Sequence, residues 1–327
     1  MSRSNRTTAD DSIERPALPV LDRRSVERAT DLAGLVRAMR SAYTSDVSRT
    51  ALTPPRMTAF VSDPHRVFGA MPSISDALGL FVTKILAAVP TPGRMPTISG
   101  LVVALSTRTG KPIACLDGAA ITNLKCAAVT GLVTDACAPQ DVSTVGIVGS
   151  GELAFSQVQG ISSVREVERW TLTSRHRANA EAFAARVRGF LGPQTDIRVV
   201  DRIEDALTGH DVICTATSLT TPLVASFVVP DGTHVNCMGG HALDSRELPN
   251  ETLARSLLLV EDREIAVAEA GALHRKALDL SEMLAADTRE LRARPTVFSS
   301  TGHALLDLIT THHVLQLTLG REAWDAA

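Results

Sequence analysis

From residue 142 onward, short apolar runs alternate with segments of helical periodicity. The runs are TVGIVG, RWTLTS, IRVV, DVICTAT, HVNCMG and LLLVED, and helical segments lie between most of them. Strands that are buried on both faces have such continuous apolar sequences, so the pattern predicts a doubly wound parallel sheet. Near Pro295 the alternation stops, and the tail TVFSSTGHALLDLITTHHVLQLTLG predicts a turn followed by one helix.

The first part of the chain has a different pattern. LPVLD, at 18–22, predicts a short strand, and helical periodicity follows from Ser25 to about Tyr43. Pro54 and Pro55 interrupt the helix and return the chain to an extended form, because proline lacks an amide donor and disfavours helix.

Two long aliphatic stretches come next. GLFVTKILAAVP and ISGLVVALSTRTGKPIACLDG are rich in strand-forming residues, and a turn at 109–112 predicts a hairpin within the second. A helix is expected from about Thr122 to Cys137, because its alanines and leucines recur at helical spacing. The glycine-containing stretch TVGIVGSGELAFSQVQG therefore begins almost halfway along the chain.

Composition narrows the possible functions. The 327 residues carry a formal net charge of -3, and 44% are hydrophobic, 21% charged and 3% aromatic. This balance suits a globular protein of two domains and gives no electrostatic footprint for nucleic acid or an anionic membrane. The longest apolar stretch is too short to span a bilayer and contains Lys84. The polar residues 1–17 predict a disordered arm rather than a signal peptide.

The cysteines suggest neither a disulfide framework nor a metal site. None of the five belongs to a CxxC pair, and most lie inside apolar runs. Reduced, buried thiols are typical of intracellular proteins, so we expect a cytoplasmic protein without a metal. His303 and the pair His312 and His313 are joined by no carboxylate or cysteine spacing, and we expect them on the C-terminal helix as surface or interface residues.

The glycine stretch has the spacing of a dinucleotide-binding turn. Gly149, Gly151 and Ala154 form G-x-G-x-x-A directly after an apolar strand. Glycine permits a tight turn and close approach of a pyrophosphate, and the following helix N-terminus offers amide donors to phosphate. Glu152 would oppose a phosphate if it pointed inward, so we expect its side chain to face solvent.

The end of the second strand of this unit bears on cofactor choice. An NAD site usually has Asp or Glu there, but this chain has Ser174, Arg175, His176 and Arg177. A hydroxyl beside basic groups suits the 2′-phosphate of NADP, which arginine binds with two charge-assisted hydrogen bonds. The sequence favours NADP(H), with NAD(H) possible. A solvated basic start to a helix is the alternative explanation.

Several motifs in order resemble the ornithine cyclodeaminase and mu-crystallin family from about residue 18 to the C-terminus. They are GKPIACLDGAAITNLKCAAVTGL, VGIVGSGELA, DVICTAT, SRELPNETLARSLLLVEDREIAVAEAG and TVFSSTGHALLDL. The resemblance implies an α/β protein in which a Rossmann-type doubly wound parallel sheet is inserted in a second α/β domain that binds substrate and forms a homodimer. The inserted dinucleotide-binding domain would be 129–297, and the other domain 18–128 plus 298–327.

The resemblance also implies a class of reaction. Family members transfer a hydride between a nicotinamide and the α-carbon of an imino or amino acid. An imino acid reductase or amino acid dehydrogenase is the favoured interpretation. The alternatives are an ornithine or lysine cyclodeaminase, which uses NAD+ without net redox change, and a non-catalytic protein that binds NADPH and a small ligand.

Three cations match the carboxylate-binding set of the family: Arg56, Lys84 and Lys125. Lys84 lies within an apolar run, where an unpaired ammonium is costly, so an internal carboxylate or a bound anion is expected beside it. A lysine reaching solvent from a sheet edge is the alternative. Lys125 stands where the family usually has arginine, and the lost planar fork suggests a changed substrate pose or a weaker cofactor contact.

A second departure concerns the acid–base group. Cyclodeaminases of the family have, after the fifth strand, an aspartate that acts as a base on the substrate amine. This chain has His241 at that position, with Asp244 three residues later. Histidine can exchange a proton near neutral pH, so Lys84 and His241 are the candidate catalytic residues. A histidine that only closes a loop is the alternative. Ketimine reductases of the mu-crystallin type also lack the aspartate, which favours a reductase.

The remaining residues implied by the glycine turn and by the resemblance are cofactor contacts at strand ends and in the nicotinamide region. The full predicted set is Thr97, Lys125, Gly149, Gly151, Glu152, Leu153, Ser174, Arg175, His176, Thr215, Thr217, Met238, Gly239 and Ser300.

Overall fold

A computed structural model describes residues 17–60, 66–91, 94–240, 242–243 and 245–320. Within these ranges the chain forms two β-sheets, one of six strands and one of eight. The arm predicted at 1–17 falls almost wholly outside the described residues. In the described part of the chain, no helix combines the length and the apolar character needed to cross a membrane.

The six-stranded sheet is formed by the N-terminal part of the chain. Its strands are β1 (Val20–Leu21), β2 (Met57–Phe60), β3 (Val67–Ser75), β4 (Leu80–Thr91), β5 (Arg94–Ser106) and β6 (Pro112–Asp117), in the order β1-β6-β5-β4-β3-β2. β1 runs parallel to β6, and the other neighbours are antiparallel. The hairpin predicted around 109–112 is confirmed as the β5–β6 connection.

Strand alternation places the polar residues of this sheet. Along β4, Leu80, Val82 and Lys84 are buried, whereas Ile85 is exposed. Successive side chains of a strand point to opposite faces, so Lys84 shares the covered face with Leu80 and Val82. The run of aliphatic residues around Lys84 is therefore a strand with one covered face and one open face.

The eight-stranded sheet is entirely parallel. Its strands are β7 (Thr144–Val148), β8 (Arg169–Thr173), β9 (Asp196–Val199), β10 (Val212–Thr215), β11 (His234–Cys237), β12 (Leu257–Val260), β13 (Leu278–Asp279) and β14 (Thr296–Ser299), in the order β13-β12-β14-β11-β10-β7-β8-β9. The doubly wound sheet predicted from the alternating pattern is confirmed. The chain leaves β7 toward β8 and returns beside β7 as β10, which creates a crevice at the carboxyl edge where ligands bind in such sheets.

Helices cover both sheets. They are α1 (Arg23–Arg28), α2 (Leu32–Thr44), α3 (Asp46–Thr50), α4 (Gly118–Cys137), α5 (Glu152–Ser162), α6 (Arg177–Leu191), α7 (Ile203–Leu207), α8 (Asn250–Arg255), α9 (Arg263–Ala270), α10 (Leu280–Ala285), α11 (Thr288–Ala293) and α12 (Ala304–Leu319), with a 3-10 turn at Ala272–Lys276. One apolar core joins the six-stranded sheet to α2, α4 and α12, and two smaller cores lie against the eight-stranded sheet.

Helix α4 is buried on nearly all sides and connects the two sheets. Its side chains are mostly small, and at Gly131 a β-carbon would lie 2.9 Å from the Gly160 carbonyl of α5. Glycine at this crossing lets the two backbones approach closely, as a larger residue would not. The close packing of α4 on α5 fixes the first sheet against the dinucleotide-type unit.

Three predicted elements differ from the structure. The helix expected from Ser25 to Tyr43 is two helices, because Asp22 caps α1 and the chain breaks at 29–31 before α2. Helix α4 begins at Gly118 rather than near Thr122, because Asp117 accepts a hydrogen bond from the Ala120 amide and caps it. The segment Thr296–Ser299, predicted as a turn, is the fully buried strand β14 between β12 and β11.

The division into domains stays a proposal from the sequence. Its two boundaries, at 128/129 and 297/298, fall inside α4 and β14, the elements that pass between the two parts. All five cysteines are free thiols, four of them buried and Cys115 partly exposed.

Candidate active site

The predicted dinucleotide-binding turn opens onto a cavity of about 690 Å³ at the carboxyl ends of β7, β8 and β10. This is the crevice at which the strand order reverses. Six of the predicted cofactor residues line it: Gly149, Gly151, Ser174, Arg175, His176 and Thr217.

The geometry of the turn fits a pyrophosphate. Gly149 has φ +129°, and a β-carbon there would lie 2.4 Å from the carbonyl oxygen of Ala216, so only glycine is accommodated. At Gly151, the N-cap of α5, a β-carbon would meet nothing within 4 Å. The helix N-terminus therefore faces open space with its first amides available, which suits a phosphate group.

The charge of Glu152 is compensated by cations. Its carboxylate oxygens accept from Arg186 at 2.8 and 3.0 Å and from Arg23 of α1 at 3.2 Å. Hydrogen bonding to Arg186 lowers the pKa of Glu152. The side chain is exposed, as predicted, and Glu152 is absent from the cavity lining, but its partner Arg186 lines the cavity. The next predicted residue, Leu153, packs against the core of the first sheet.

The basic residues after β8 differ in their contacts. Arg175 lines the cavity, and no hydrogen bond or ion pair of its side chain is found in the described part of the chain. Arg177 is outside the lining and pairs with Asp201 at 2.6 Å and with Glu181 at 2.9 Å. The Ser174 hydroxyl lies 2.9 Å from that of Ser150 in the glycine turn. Arg186 also lines the cavity but is paired with Glu152, so Arg175 is the guanidinium available to a ligand here.

A buried charge cluster lies beside the loop between β14 and α12. Lys84 Nζ donates to Asp307 Oδ1 and Oδ2 at 2.9 and 2.8 Å, and Lys125 Nζ lies 3.3 Å from Asp307 Oδ1. All three side chains are almost inaccessible to solvent. The internal carboxylate expected beside Lys84 is confirmed as Asp307 of α12. The cluster of two ammonium groups and one carboxylate has a formal charge of +1.

The two lysines respond differently to this environment. Burial, reinforced by the charge of Lys125, lowers the pKa of Lys84 to about 8 despite the attraction of Asp307. Burial is also the largest influence on Lys125 and opposes its charged form, but the charge of Asp307 and several smaller contributions together outweigh it and raise the pKa of Lys125. Burial favours the neutral form of Asp307, and the two ammonium charges overcome it and lower its pKa. Of the two lysines, Lys84 is thus the one that releases a proton more readily.

The third predicted cation, Arg56, contacts the loop between β14 and α12. Arg56 donates through its second guanidinium nitrogen to the carbonyls of Thr301 and Gly302 at 2.8 and 2.9 Å, and its Nε lies 2.6 Å from Glu269 Oε1. A β-carbon on Gly302 would lie 3.7 Å from Lys125 Nζ. The loop between β14 and α12 thus brings Arg56, Lys125 and, through Asp307, Lys84 together.

Glu261 fixes this loop from behind. It follows β12 and is buried, and its carboxylate accepts from the Thr301 and Gly302 amides at 3.1 Å each and from the Ser300 hydroxyl. The hydroxyl of Ser300, a predicted nicotinamide neighbour, is therefore directed at Glu261. Sequence reasoning missed Glu261, Glu269 and Asp307, although their charges within apolar segments were a usable signal.

The predicted contacts at the ends of β10 and β11 converge on another carboxylate. Glu247 is fully buried and accepts from the Thr215 and Thr217 hydroxyls and from the Thr217 and Gly239 amides. The sulfur of Met238 accepts from the Thr130 hydroxyl at 3.3 Å inside the core. Thr217 is the member of this predicted group that lines the cavity. Glu247 was not singled out from the sequence.

Some of the predicted site residues lie outside the described part of the chain, and others lie in a different environment from the one predicted. His241 and Asp244 lie outside the described residues. Thr97 is in β5 opposite Val89, and its side chain lies outside the described part. The prediction that His303 is a surface or interface residue is wrong: it is buried at the N-cap of α12, because the loop that carries it packs between Glu261 and Asp307. His312 and His313 are partly buried on α12.

The sequence was compared with known families and proteins. The sequence model of the Ornithine cyclodeaminase/mu-crystallin family matches residues 19–321. The chain belongs to this family. The predicted family is thereby confirmed, and the match includes both sheets and α12.

Curated relatives are named as reductases. The ketimine reductase mu-crystallin of Rattus norvegicus is 32% identical over 255 residues, which cover 75% of this chain and 79% of the relative. A Delta(1)-pyrroline-2-carboxylate reductase of Bacillus cereus is 28% identical over 286 residues, which cover 83% of this chain and 87% of the relative.

Solved structures share the fold. The Thermococcus litoralis Delta(1)-pyrroline-2-carboxylate reductase, in complex with NADH and L-proline, superposes with a TM-score of 0.84 at 24% identity, covering 93% of this chain and 98% of the other. An archaeal alanine dehydrogenase dimer with bound NAD gives a TM-score of 0.77 at 22% identity, covering 93% and 97%. These likenesses confirm the predicted fold class.

Proposed function

We propose that this protein is an NADPH-dependent reductase that transfers a hydride to the α-carbon of a cyclic imino acid and produces an amino acid. The observation that carries the proposal is the buried cluster of Lys84, Lys125 and Asp307, with its net positive charge, at the carboxyl end of the dinucleotide-type sheet. The naming of curated relatives as ketimine and pyrroline-2-carboxylate reductases supports the same reaction class.

Strand order relates the cluster to the cofactor cavity. The cavity lies over β7, β8 and β10, and β10 is followed in the sheet by β11 and then by β14. The loop after β14 holds the cation cluster, and the Ser300 amide at its start donates to the Cys237 carbonyl of β11 at 3.0 Å. A dinucleotide with its adenosine over β7 and β8 extends along this edge toward the cluster.

The charges suit an α-carboxylate. The two ammonium groups share one carboxylate, Asp307, with Glu261 acting on Lys125 more weakly, and a bound anion stabilises both ammonium groups in a site removed from water. Arg56 adds a guanidinium at the same loop, although Glu269 already pairs with it. Fixed cations also orient the carboxylate, which holds the neighbouring imine carbon in place for reaction.

The reaction also needs a proton at the substrate nitrogen. A bound nicotinamide cofactor supplies the hydride, so this chain has to supply only the proton and the orientation. With a pKa of about 8, the Lys84 ammonium can hold a proton at Nζ at neutral pH and release it. His241 remains the second proton donor proposed from the sequence.

The function is tested by following NADPH and NADH oxidation with Δ1-pyrroline-2-carboxylate and its six-membered-ring homologue. We expect steady oxidation with at least one imine and a cyclic amino acid as the product. Ammonia release from ornithine or lysine without net change in the cofactor would replace the proposal with cyclodeamination. Tight NADPH binding without turnover of any substrate would indicate a binding protein.

The pKa of Lys84 predicts the pH profile. A lysine with a pKa of about 8 is charged below that pH, so we expect kcat/KM to be maintained near neutrality and to fall as the pH rises through about 8. In Lys84→Arg the guanidinium stays charged, so the remaining activity should lose this descending limb. The same limb in that variant would assign it to another group or to the substrate.

The choice of NADPH depends on Arg175. We expect Arg175→Ala to weaken the binding of NADPH by roughly 1.5–3 kcal/mol, because a charge-assisted hydrogen bond to the 2′-phosphate is lost. The binding of NADH should be weakened far less. Arg198→Ala is the matched control, since Arg198 is exposed, is absent from the cavity lining and lies beside Asp196, which is also outside that lining. Fluorescence titration measures both affinities. Equal wild-type affinity for NADPH and NADH would contradict the assignment.

The open face of the six-stranded sheet supports a homodimer. Met57, Ile85 and Leu101 are 64%, 52% and 51% exposed. Ile85 pairs in register with Leu101 on β5 and with Ala70 on β3, and Ala70 pairs with Met57 on β2, so these side chains form a continuous row across four strands. A contiguous apolar row of this kind marks an interaction surface, and a second copy of the same face is complementary to it.

We expect the protein to sediment as a dimer at micromolar concentration. Ile85→Lys combined with Leu101→Lys should produce a folded monomer, because four charges would face each other in the interface. Val228→Lys is a suitable control, since Val228 is equally exposed but far from this sheet in sequence and topology. A wild-type monomer under these conditions would rule out the interface.

A further inference from the structure

Glu247 is a buried carboxylate that no lysine or arginine contacts in the described part of the chain. Its Oε1 accepts from the Thr217 amide and hydroxyl, both at 2.6 Å. Its Oε2 accepts from the Thr215 hydroxyl and the Gly239 amide, both at 2.7 Å. The Cys237 thiol also donates to Oε2, at 3.6 Å. These five hydrogen bonds from neutral groups compensate the loss of hydration of the carboxylate.

The chemistry of these contacts requires a carboxylate. A backbone amide can only donate, and one amide contacts each oxygen of Glu247. A glutamine side chain has one acceptor oxygen, so its NH₂ group would face an amide donor. The backbone also fits the acid closely, because a β-carbon on Gly239 would lie 2.0 Å from Glu247 Cδ.

The donors to Glu247 lie at the carboxyl ends of two neighbouring strands. Thr215 and Thr217 follow β10, and Gly239 follows β11, at the carboxyl edge between the glycine turn and the cation cluster. Thr217 lines the cavity, whereas Thr215 is fully buried behind it. Glu247 therefore ties the ends of two neighbouring strands together at the edge where dinucleotides bind in sheets of this type.

We propose that Glu247 is a positioning residue for the nicotinamide half of the cofactor, and that its uncompensated negative charge favours the oxidised cofactor over the reduced one. This inference rests on the proposed use of a nicotinamide cofactor. Loss of a hydride leaves the nicotinamide ring with a positive charge, and a fixed negative charge nearby stabilises that form. The same charge assists hydride donation to an imine, because the positive charge develops during the transfer.

The test compares the affinities of the two redox forms. Full-length wild type, Glu247→Gln and Glu247→Asp are titrated with NADPH and with NADP+, or with NADH and NAD+ if the wild type prefers them. In Glu247→Gln we expect both forms to bind more weakly, and the oxidised form to lose about tenfold more affinity than the reduced form. Glu247→Asp keeps the charge, so its ratio of the two dissociation constants should stay near the wild-type ratio.

A purely structural role predicts a different result. If Glu247→Gln lost equal affinity for the oxidised and the reduced cofactor, or lost thermal stability alone, the inference would be overturned. If Glu247→Gln does not fold, Thr215→Val is the variant that tests the inference, because Thr215 is buried outside the cavity and acts through Glu247. Thr215→Val should weaken the binding of both cofactor forms several-fold and leave the ratio of the two dissociation constants unchanged. Unaltered affinities in this variant would also overturn the inference. A wild type that binds neither redox form would instead reject the proposed function.

Discussion

Replacing Lys84 with methionine should lower kcat/KM for a cyclic imino acid by about three orders of magnitude, while the protein stays folded. The substitution removes one of the two ammonium groups and leaves Asp307 paired with Lys125, so the cluster becomes neutral. One charge-assisted hydrogen bond to the substrate carboxylate is worth about 1.5–3 kcal/mol, and loss of a general acid costs about 10²–10⁴ in rate. KM should rise and kcat should fall, because binding and protonation both suffer.

The measurement is steady-state kinetics with a thermal melt of each variant. Lys111→Met is the matched control, since Lys111 is exposed in the β5–β6 hairpin and should leave both constants unchanged. NADPH affinity should change little in Lys84→Met, because the lysine is absent from the cavity lining. Nearly normal kcat/KM in a folded Lys84→Met variant would remove Lys84 from the reaction and leave it a structural role.

The second large effect is on stability. Asp307→Asn should reduce the free energy of unfolding by about 3–5 kcal/mol, because breaking a buried ion pair leaves uncompensated charge inside the protein. Here two buried ammonium groups, Lys84 and Lys125, would face each other without a carboxylate. Denaturant unfolding at pH 6 and pH 9 measures the loss. The loss should be smaller at pH 9, since Lys84 is the lysine that gives up its proton first and then no longer repels Lys125.

A double variant separates charge from packing. Lys84→Met combined with Asp307→Asn leaves one buried ammonium instead of two, so it should recover part of the stability lost in Asp307→Asn. Additive losses in the cycle would show that Asp307 stabilises α12 by contacts other than the ion pair. Activity should remain low in both variants, because each lacks part of the arrangement that holds the substrate carboxylate.

The sequence predicted the features of the site that are local in the chain. The glycine turn, the strand before it and the basic residues after β8 lie within about thirty residues, and their spacing alone indicates a dinucleotide site. Lys84 is a different case, because its apolar surroundings predicted a charged partner but could not identify it. Asp307 is 223 residues away, and only the docking of α12 on the first sheet brings the two together.

The missed elements have local physical reasons. β14 is only four residues long and follows a short helix, so its fully buried TVFS resembles the start of a turn. Glu247 and Glu261 were missed because their partners are backbone amides and hydroxyls at strand ends, contacts that have no sequence spacing. The break between α1 and α2 depends on the cap at Asp22 and on the extended backbone at Asp31, which a continuous helical periodicity conceals.

The long separation within the charge cluster has a consequence for protein synthesis. A growing chain contains Lys84 and Lys125 well before it contains Asp307, which comes 182 residues after Lys125. Until the ribosome has released that later segment, the first sheet cannot bury both lysines without an unbalanced charge. We therefore expect the N-terminal part to be less stable during synthesis, and more accessible to chaperones and proteases, until α12 is available to complete the core.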